Sequence, residues 1–205
     1  MSALRILVAE DEGLVATGLR AQLKALGHQV VGLARDGEEA VAMAAASAPD
    51  LILMDIRLPQ LDGLEAARRI LQKRRVPVIF ISAYSEARLA QGASVSGGFA
   101  YLLKPVDRQD LLPAITVTMG RFREAEALRQ DVQELEQTLE LRKHVEQAKG
   151  ILMKRLQLAE SEAMYRLQQR RRRTRKPLGE VAAEVIAADT FFAGWEQEHK
   201  DTHST

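Results

Sequence analysis

Five short apolar runs recur through the first 120 residues: RILVA, QVVGLA, DLILMD, PVIFISA and AYLLKP. They are rich in β-branched and aliphatic residues with little polar alternation, the pattern of parallel strands covered on both faces. Helical patterns lie between them at residues 14–26, 37–47, 62–73 and 86–95. Gly27, Gly37, Pro49, Pro59 and Pro77 punctuate the joints. Repeated βα units with right-handed crossovers predict an α/β fold built on a doubly wound parallel sheet. At this size the flavodoxin-like strand order 2-1-3-4-5 is expected.

That order has a chemical consequence, because ligands bind such sheets at the carboxyl ends of the strands. Glu10 and Asp11 follow strand 1, and Asp55 ends strand 3, its neighbour. Three carboxylates therefore converge at one rim. They repel and raise one another's pKa unless a cation joins them, and Mg²⁺ suits oxygen ligands of this kind. Ser82 lies near the end of strand 4. Lys104 ends strand 5, before Pro105, a candidate for a cis peptide that would aim the lysine inward. A carboxylate so placed can act as a nucleophile and form an aspartyl-phosphate. Lys104 and Ser82 would then hold the remaining phosphoryl oxygens. The alternative for each residue alone is a strand-end group in solvent. Five of them at the ends of the appropriate strands argue against that.

The stretches VAEDE, LILMDIRLPQLDG, FISA and AYLLKP resemble the receiver domain of two-component response regulators, over residues 1–120. The resemblance implies that Asp55 is the phosphoacceptor, phosphorylated by a sensor histidine kinase. It also implies a metal site of Glu10, Asp11, Asp55 and the Arg57 backbone carbonyl. Ser82 takes the switch-hydroxyl position and Lys104 the conserved-lysine position. Tyr101 matches the aromatic whose rotation reports phosphorylation, the alternative being an edge-strand packing residue. Val106 stands where many relatives carry phenylalanine, so packing beside the active loop is expected to differ. No enzymatic output is implied beyond Mg-dependent self-phosphorylation from small donors and autodephosphorylation.

Beyond residue 120 the pattern becomes wholly helical. Pro113 sits in the first turns of a fifth helix, where its missing N–H matters least. From Ala114 to about Gln147 there is no further proline, and glycine appears only at Gly120. Leu128, Val132, Leu135 and Leu139 follow a 4-3-4 spacing until Arg142 replaces the next apolar residue. Residues 121–141 thus read as a helical linker whose seam serves either a coiled-coil dimer or packing against its own chain. Residues 142–188 suggest three helices, at 142–157, 160–173 and 178–188. In the tail, 189–205, Phe191, Phe192 and Trp195 would pack if ordered, and the last eight residues are expected to be loose.

Charge divides along the same lines. Residues 1–120 are neutral, 121–141 carry −3, 142–188 carry +7 and 189–205 carry −3. The basic segment, densest at RRRRTRK, suits a polyanion, since neutralising phosphates releases counterions. The bland alternative is cations complementing the dipole at a helix C-terminus. The stretch HVEQAKGILMKRLQLAESEAMYRL, with LGEVAAEVI after it, resembles the ANTAR domain of transcription antitermination regulators. Ala148, Lys149 and Gly150 match its AKG signature, and Ala163 a small position of its second helix. The resemblance implies a three-helix domain that binds stem-loop RNA in nascent transcripts, with phosphorylation promoting an active, commonly dimeric state. Ala148 and Gly150 are read as positions of close helix approach. Lys149, Arg155, Arg170, Arg171, Arg172 and Arg173 are candidate RNA contacts. Tyr165 is a core residue or a platform for an unstacked base, with the core the expected place. Arg171 departs from the family, which tends to have alanine there. Either the helix is rotated or the contact surface differs.

Two other outputs remain open: a DNA-binding regulator with a helix-turn-helix, or a protein-interaction and dimerisation module. LQLAES and RKPLG do not look like the short glycine-containing turn of the former. The chain has no cysteine, which removes disulfides, thiolate metal sites and cysteine nucleophiles. The N-terminal apolar run is broken at once by Glu10, Asp11 and Glu12, unlike a signal peptide or a membrane span. A cytoplasmic protein is expected.

Overall fold

The computed structural model describes residues 3–83 and 98–202, and their side chains except at 98, 99 and 193–202. The chain divides into two compact units, Met1–Ala127 and Leu128–Thr205.

The first unit alternates β1 (Arg5–Ala9), α1 (Gly13–Ala25), β2 (Gln29–Ala34), α2 (Gly37–Ser47), β3 (Leu51–Asp55), α3 (Gly63–Lys73), β4 (Val78–Ser82) and β5 (Gly98–Leu103). All neighbouring strands pair in parallel, in the order β2-β1-β3-β4-β5. This is the expected doubly wound arrangement. The helix read at 86–95 falls outside the described residues.

The pleat explains why the apolar runs lack alternation. Leu7, Ala9, Ile52, Met54, Val78 and Phe80 point to one face, against Ala40, Ala44, Ala66, Ala67 and Ile70 of α2 and α3. Ile6, Val8, Leu51, Leu53, Ile79 and Ile81 point to the other, against Leu19 and Leu23 of α1 and Leu111 and Ile115 of the following helix. With helices on both faces, every residue of β3 and β4 is buried. Asp36 and Asp62 start α2 and α3 by accepting from the Glu39 and Glu65 N–H groups, which satisfies donors orphaned at a helix start.

After β5 the chain forms α4 (Arg108–Leu156), α5 (Glu160–Thr174) and α6 (Leu178–Thr202). Helix α4 is 49 residues long, with Pro113 in its second turn. It runs unbroken through residues 141 and 142, where the sequence reading separates linker from output. Arg142 interrupts an apolar stripe of side chains but not the backbone ladder, which only proline or competing turn chemistry would break. Helix α6 likewise continues through the tail to Thr202, where a loose end was expected. The segment carries no proline, so helix propagates where it needs no new nucleus.

In the second unit, Val145, Ala148, Leu167, Val181 and Ala182 form a core, with Leu152, Met164, Leu178, Val185 and Ile186 packed around it. Among the described residues no helix is long and apolar enough to cross a membrane.

Candidate functional site

Parallel strands deliver their carboxyl ends to one edge. Ala9 pairs with Met54 in register, so the residues that follow them, Glu10 and Asp55, emerge side by side. The Glu10 N–H still donates to Ala34 O at 2.9 Å, prolonging the ladder and fixing a side chain that is 1% exposed. Asp55 is 4% exposed and pairs in register with Ile81 of β4. Lys104 follows β5, and its N–H donates to Ser82 O at 2.9 Å. The Lys104–Pro105 peptide is cis.

The Lys104 ammonium joins the acids. Its Nζ donates to Asp55 Oδ2 at 2.5 Å and to Glu10 Oε1 at 3.0 Å, with Glu12 Oε1 at 3.7 Å. The Arg57 N–H donates to Asp55 Oδ1 at 3.0 Å, so both carboxylate oxygens are engaged. Asp11 is exposed at the mouth, and Glu10, Asp11 and Asp55 each place one carboxylate oxygen within 4.8 Å of the others. Burial pushes the Glu10 carboxyl above its ordinary pKa, the Lys104 hydrogen bond pulls against this, and the Asp55 charge pushes further up. Burial alone would lower the Lys104 pKa, but hydrogen bonds to Asp55 and Glu10 outweigh it and hold the ammonium charged.

Glu10 Oε2 is buried and has no hydrogen-bond partner among the described residues. A buried acceptor left unpaired is costly. Beside two further carboxylates, that oxygen suits a hard divalent cation, so the residues present fit Mg²⁺.

Ser82 is fully buried at the end of β4, and its hydroxyl donates to Ala83 O at 3.3 Å rather than to Asp55. Tyr101 is half-buried and stacks on Phe80, its register partner, with ring centroids 5.5 Å apart. Burial raises its phenol pKa. Val106 packs partly buried against the α1–α4 side of the core, and its carbonyl accepts from Gln22 Nε2 at 3.2 Å.

Sequence reasoning passed over two contributors. Glu12 adds a third carboxylate near Lys104. Gly63 lies so close under Asp55 that a Cβ there would meet the Asp55 carbonyl oxygen at 1.9 Å. The glycine in LDG was the available signal, but it also suits an ordinary turn.

The basic residues of the second unit fare differently from one another. Lys149 is only 13% exposed and is ion-paired with Glu146 at 2.7 Å and Glu160 at 2.6 Å, which ties α4 to the start of α5. Arg155 binds Asp189 at 2.7 Å. Arg170 lies 3.6 Å from Glu184, which also pairs with Lys176. Arg171, Arg172 and Arg173 are exposed in the last turns of α5. Arg171 therefore needs no burial, which removes the difficulty its size posed. Ala148 and Ala163 are fully buried, as small residues at a helix crossing should be. Gly150 is not at a crossing, since a Cβ there would meet nothing within 4 Å. Tyr165 is 55% exposed, not in the core: the core face of α5 is filled by Ala163 and Leu167.

The transcriptional regulatory protein PdtaR of Mycobacterium tuberculosis (strain ATCC 25618 / H37Rv) is 41% identical over 185 residues, covering 89% of this chain and 90% of that protein. The crystal structure of the response regulator PhyR from Brucella abortus matches with a TM-score of 0.55 and 32% identity, over 62% of this chain and 52% of that one. The receiver domain of a modulated diguanylate cyclase from Desulfovibrio desulfuricans G20 matches with a TM-score of 0.54 and 35% identity, over 60% of this chain and 99% of that one. Residues 6–116 match the response regulator receiver domain, and residues 133–186 match the ANTAR domain, beginning inside α4. The chain therefore belongs to the response regulators, with a receiver domain followed by an ANTAR domain.

Proposed function

We propose that this response regulator is phosphorylated on Asp55 by a sensor histidine kinase and in that state controls transcription antitermination in the cytoplasm by binding stem-loop RNA. The observation that carries the first half is Lys104, whose ammonium bridges Asp55 and Glu10 beside Asp11. Glu10, Asp11 and Asp55, with the Arg57 backbone carbonyl, would hold Mg²⁺, which when bound supplies charge neutralisation to phosphoryl transfer. An Asp55 oxygen attacks phosphorus as the bond to the donor breaks. Lys104 then exchanges its Asp55 contact for a phosphoryl oxygen, and the Ser82 hydroxyl turns from Ala83 O toward another. Tyr101 follows Ser82 inward, giving up its present stacking. In this reading the helices 142–188 are the output, 121–141 the linker and 1–120 the switch.

Incubation with acetyl phosphate and Mg²⁺ should add one phosphoryl group to the intact mass, and Asp55→Asn should abolish the addition. Full labelling of that variant would refute the assignment. For the output, terminator read-through should rise when phosphorylated protein is added to in vitro transcription of a leader with paired stem-loops. Preference for duplex DNA over RNA in a salt-controlled competition would favour a DNA-binding regulator instead.

One observation favours an accompanying role in self-association. Leu128, Val132, Leu135 and Leu139 are 52–65% exposed along α4, so within the described residues the stripe is not covered by its own chain. A phosphorylation-dependent homodimer through this seam predicts that Val132→Lys with Leu135→Lys keeps the protein monomeric by sedimentation after phosphorylation.

A further inference from the structure

The arginine-rich turn between α5 and α6 is not a uniform patch. Glu184 of α6 pairs with both Arg170 and Lys176, so two cations on either side of the turn share one carboxylate. Arg171, Arg172 and Arg175 have no carboxylate partner among the described residues, and with Lys176 and Pro177 they line an open concavity of about 660 Å³. Arg175 has φ +58°, the left-handed conformation that ends α5 and reverses the chain toward α6. One or two cations suffice to complement a helix C-terminus. Three unpaired guanidiniums facing one hollow exceed that need, and their mutual repulsion is a standing cost that a bound polyanion would relieve.

We propose that Arg171, Arg172 and Arg175 form a phosphate-binding cradle for RNA, with Glu184 neutralising Arg170 beside it and Lys176 on its wall. This rests on the RNA-binding reading above and names the surface that serves it. Guanidiniums suit the task because each offers a planar fork of donors to phosphate oxygens. Lys149 and Arg155 are excluded from the cradle, since their charges are committed to Glu146, Glu160 and Asp189. Specificity for sequence would then come from other surfaces, with the cradle setting affinity and register.

The test uses the full phosphorylated chain and an RNA of two adjacent hairpins, with dissociation constants measured over a potassium chloride series. Replacing Arg171, Arg172 and Arg175 by alanine should lower the slope of log affinity against log salt by about two. Arg20→Ala, Arg35→Ala and Arg74→Ala, combined in the receiver domain, remove the same charge and should leave the slope unchanged. Glu184→Gln should steepen the slope by releasing Arg170 and Lys176. If the triple variant loses its helical circular dichroism, the three single variants decide the matter, each costing somewhat less than one unit of slope. A wild-type slope in the cradle variants, or an equal loss in the receiver control, overturns the cradle while leaving RNA binding intact. Failure of the wild-type chain to bind the RNA overturns both.

Discussion

A methyl group at position 63 would sit 1.9 Å from the Asp55 carbonyl oxygen, and one at position 37 would sit 2.0 Å from the Leu61 carbonyl oxygen. Neither backbone oxygen can yield cheaply, because one ends the central strand and the other belongs to the loop packed on α2. Gly63→Ala should therefore lower stability by about 1–3 kcal/mol in urea denaturation and slow labelling by acetyl phosphate, as Asp55 is displaced. His28 offers a second residue-level test. It is 6% exposed, its Nδ1 accepts from the Leu4 N–H at 3.3 Å, and its Nε2 has no partner among the described residues. Burial lowers its pKa. The unfolded chain thus takes up a proton at higher pH than the folded one, so the stability from a neutral His28 is complete above about 6.5 and declines as pH falls below it. The urea midpoint should drop between pH 7.5 and 5.5, and His28→Gln should flatten that part of the profile. At this scale the acids and the lysine were legible because each ends an apolar run. The demands on Gly63 and His28 were not, since they come from backbone and side chains distant in sequence.

Among the elements, α4 extends beyond the long proline-free helix that the sequence predicts from Ala114 to about Gln147. The apolar spacing breaks at Arg142, but the helix is continuous to Leu156. Periodicity reports which face is buried and not where the backbone stops hydrogen bonding. Two glycines inside α4 test this continuity. A Cβ at Gly120 or Gly150 would meet nothing within 4 Å. Replacing either by alanine should raise stability by about 0.5–1 kcal/mol, read from the shift of the urea midpoint, because helical glycine gives up more backbone freedom. A destabilised Gly150→Ala would restore the close-approach role that the AKG motif suggested. The strands behaved differently. Their limits could be read closely, because runs such as LILMD are buried on both faces and terminate abruptly in charge.

For the whole molecule, two compact units with separate cores predict two unfolding transitions. Mg²⁺ bound by Glu10, Asp11 and Asp55 would stabilise only the receiver transition, by about 1.4 kcal/mol at tenfold excess over its dissociation constant. Calorimetry with and without Mg²⁺ should show one transition moving and the other fixed. Glu10→Gln with Asp11→Asn should remove the movement.

What could be read from the chain alone was the receiver architecture and the rim where its acids meet. Strand order follows from local hydrophobic pattern and the handedness of crossovers, and a parallel sheet sends all its carboxyl ends to one side. The partners of each charge had to await packing. Lys149 and Arg171 look equally available as letters, yet one is held between Glu146 and Glu160 while the other faces an open hollow. An ion pair depends on which helices cross and at what register, and those distances are set by side chains far apart in sequence.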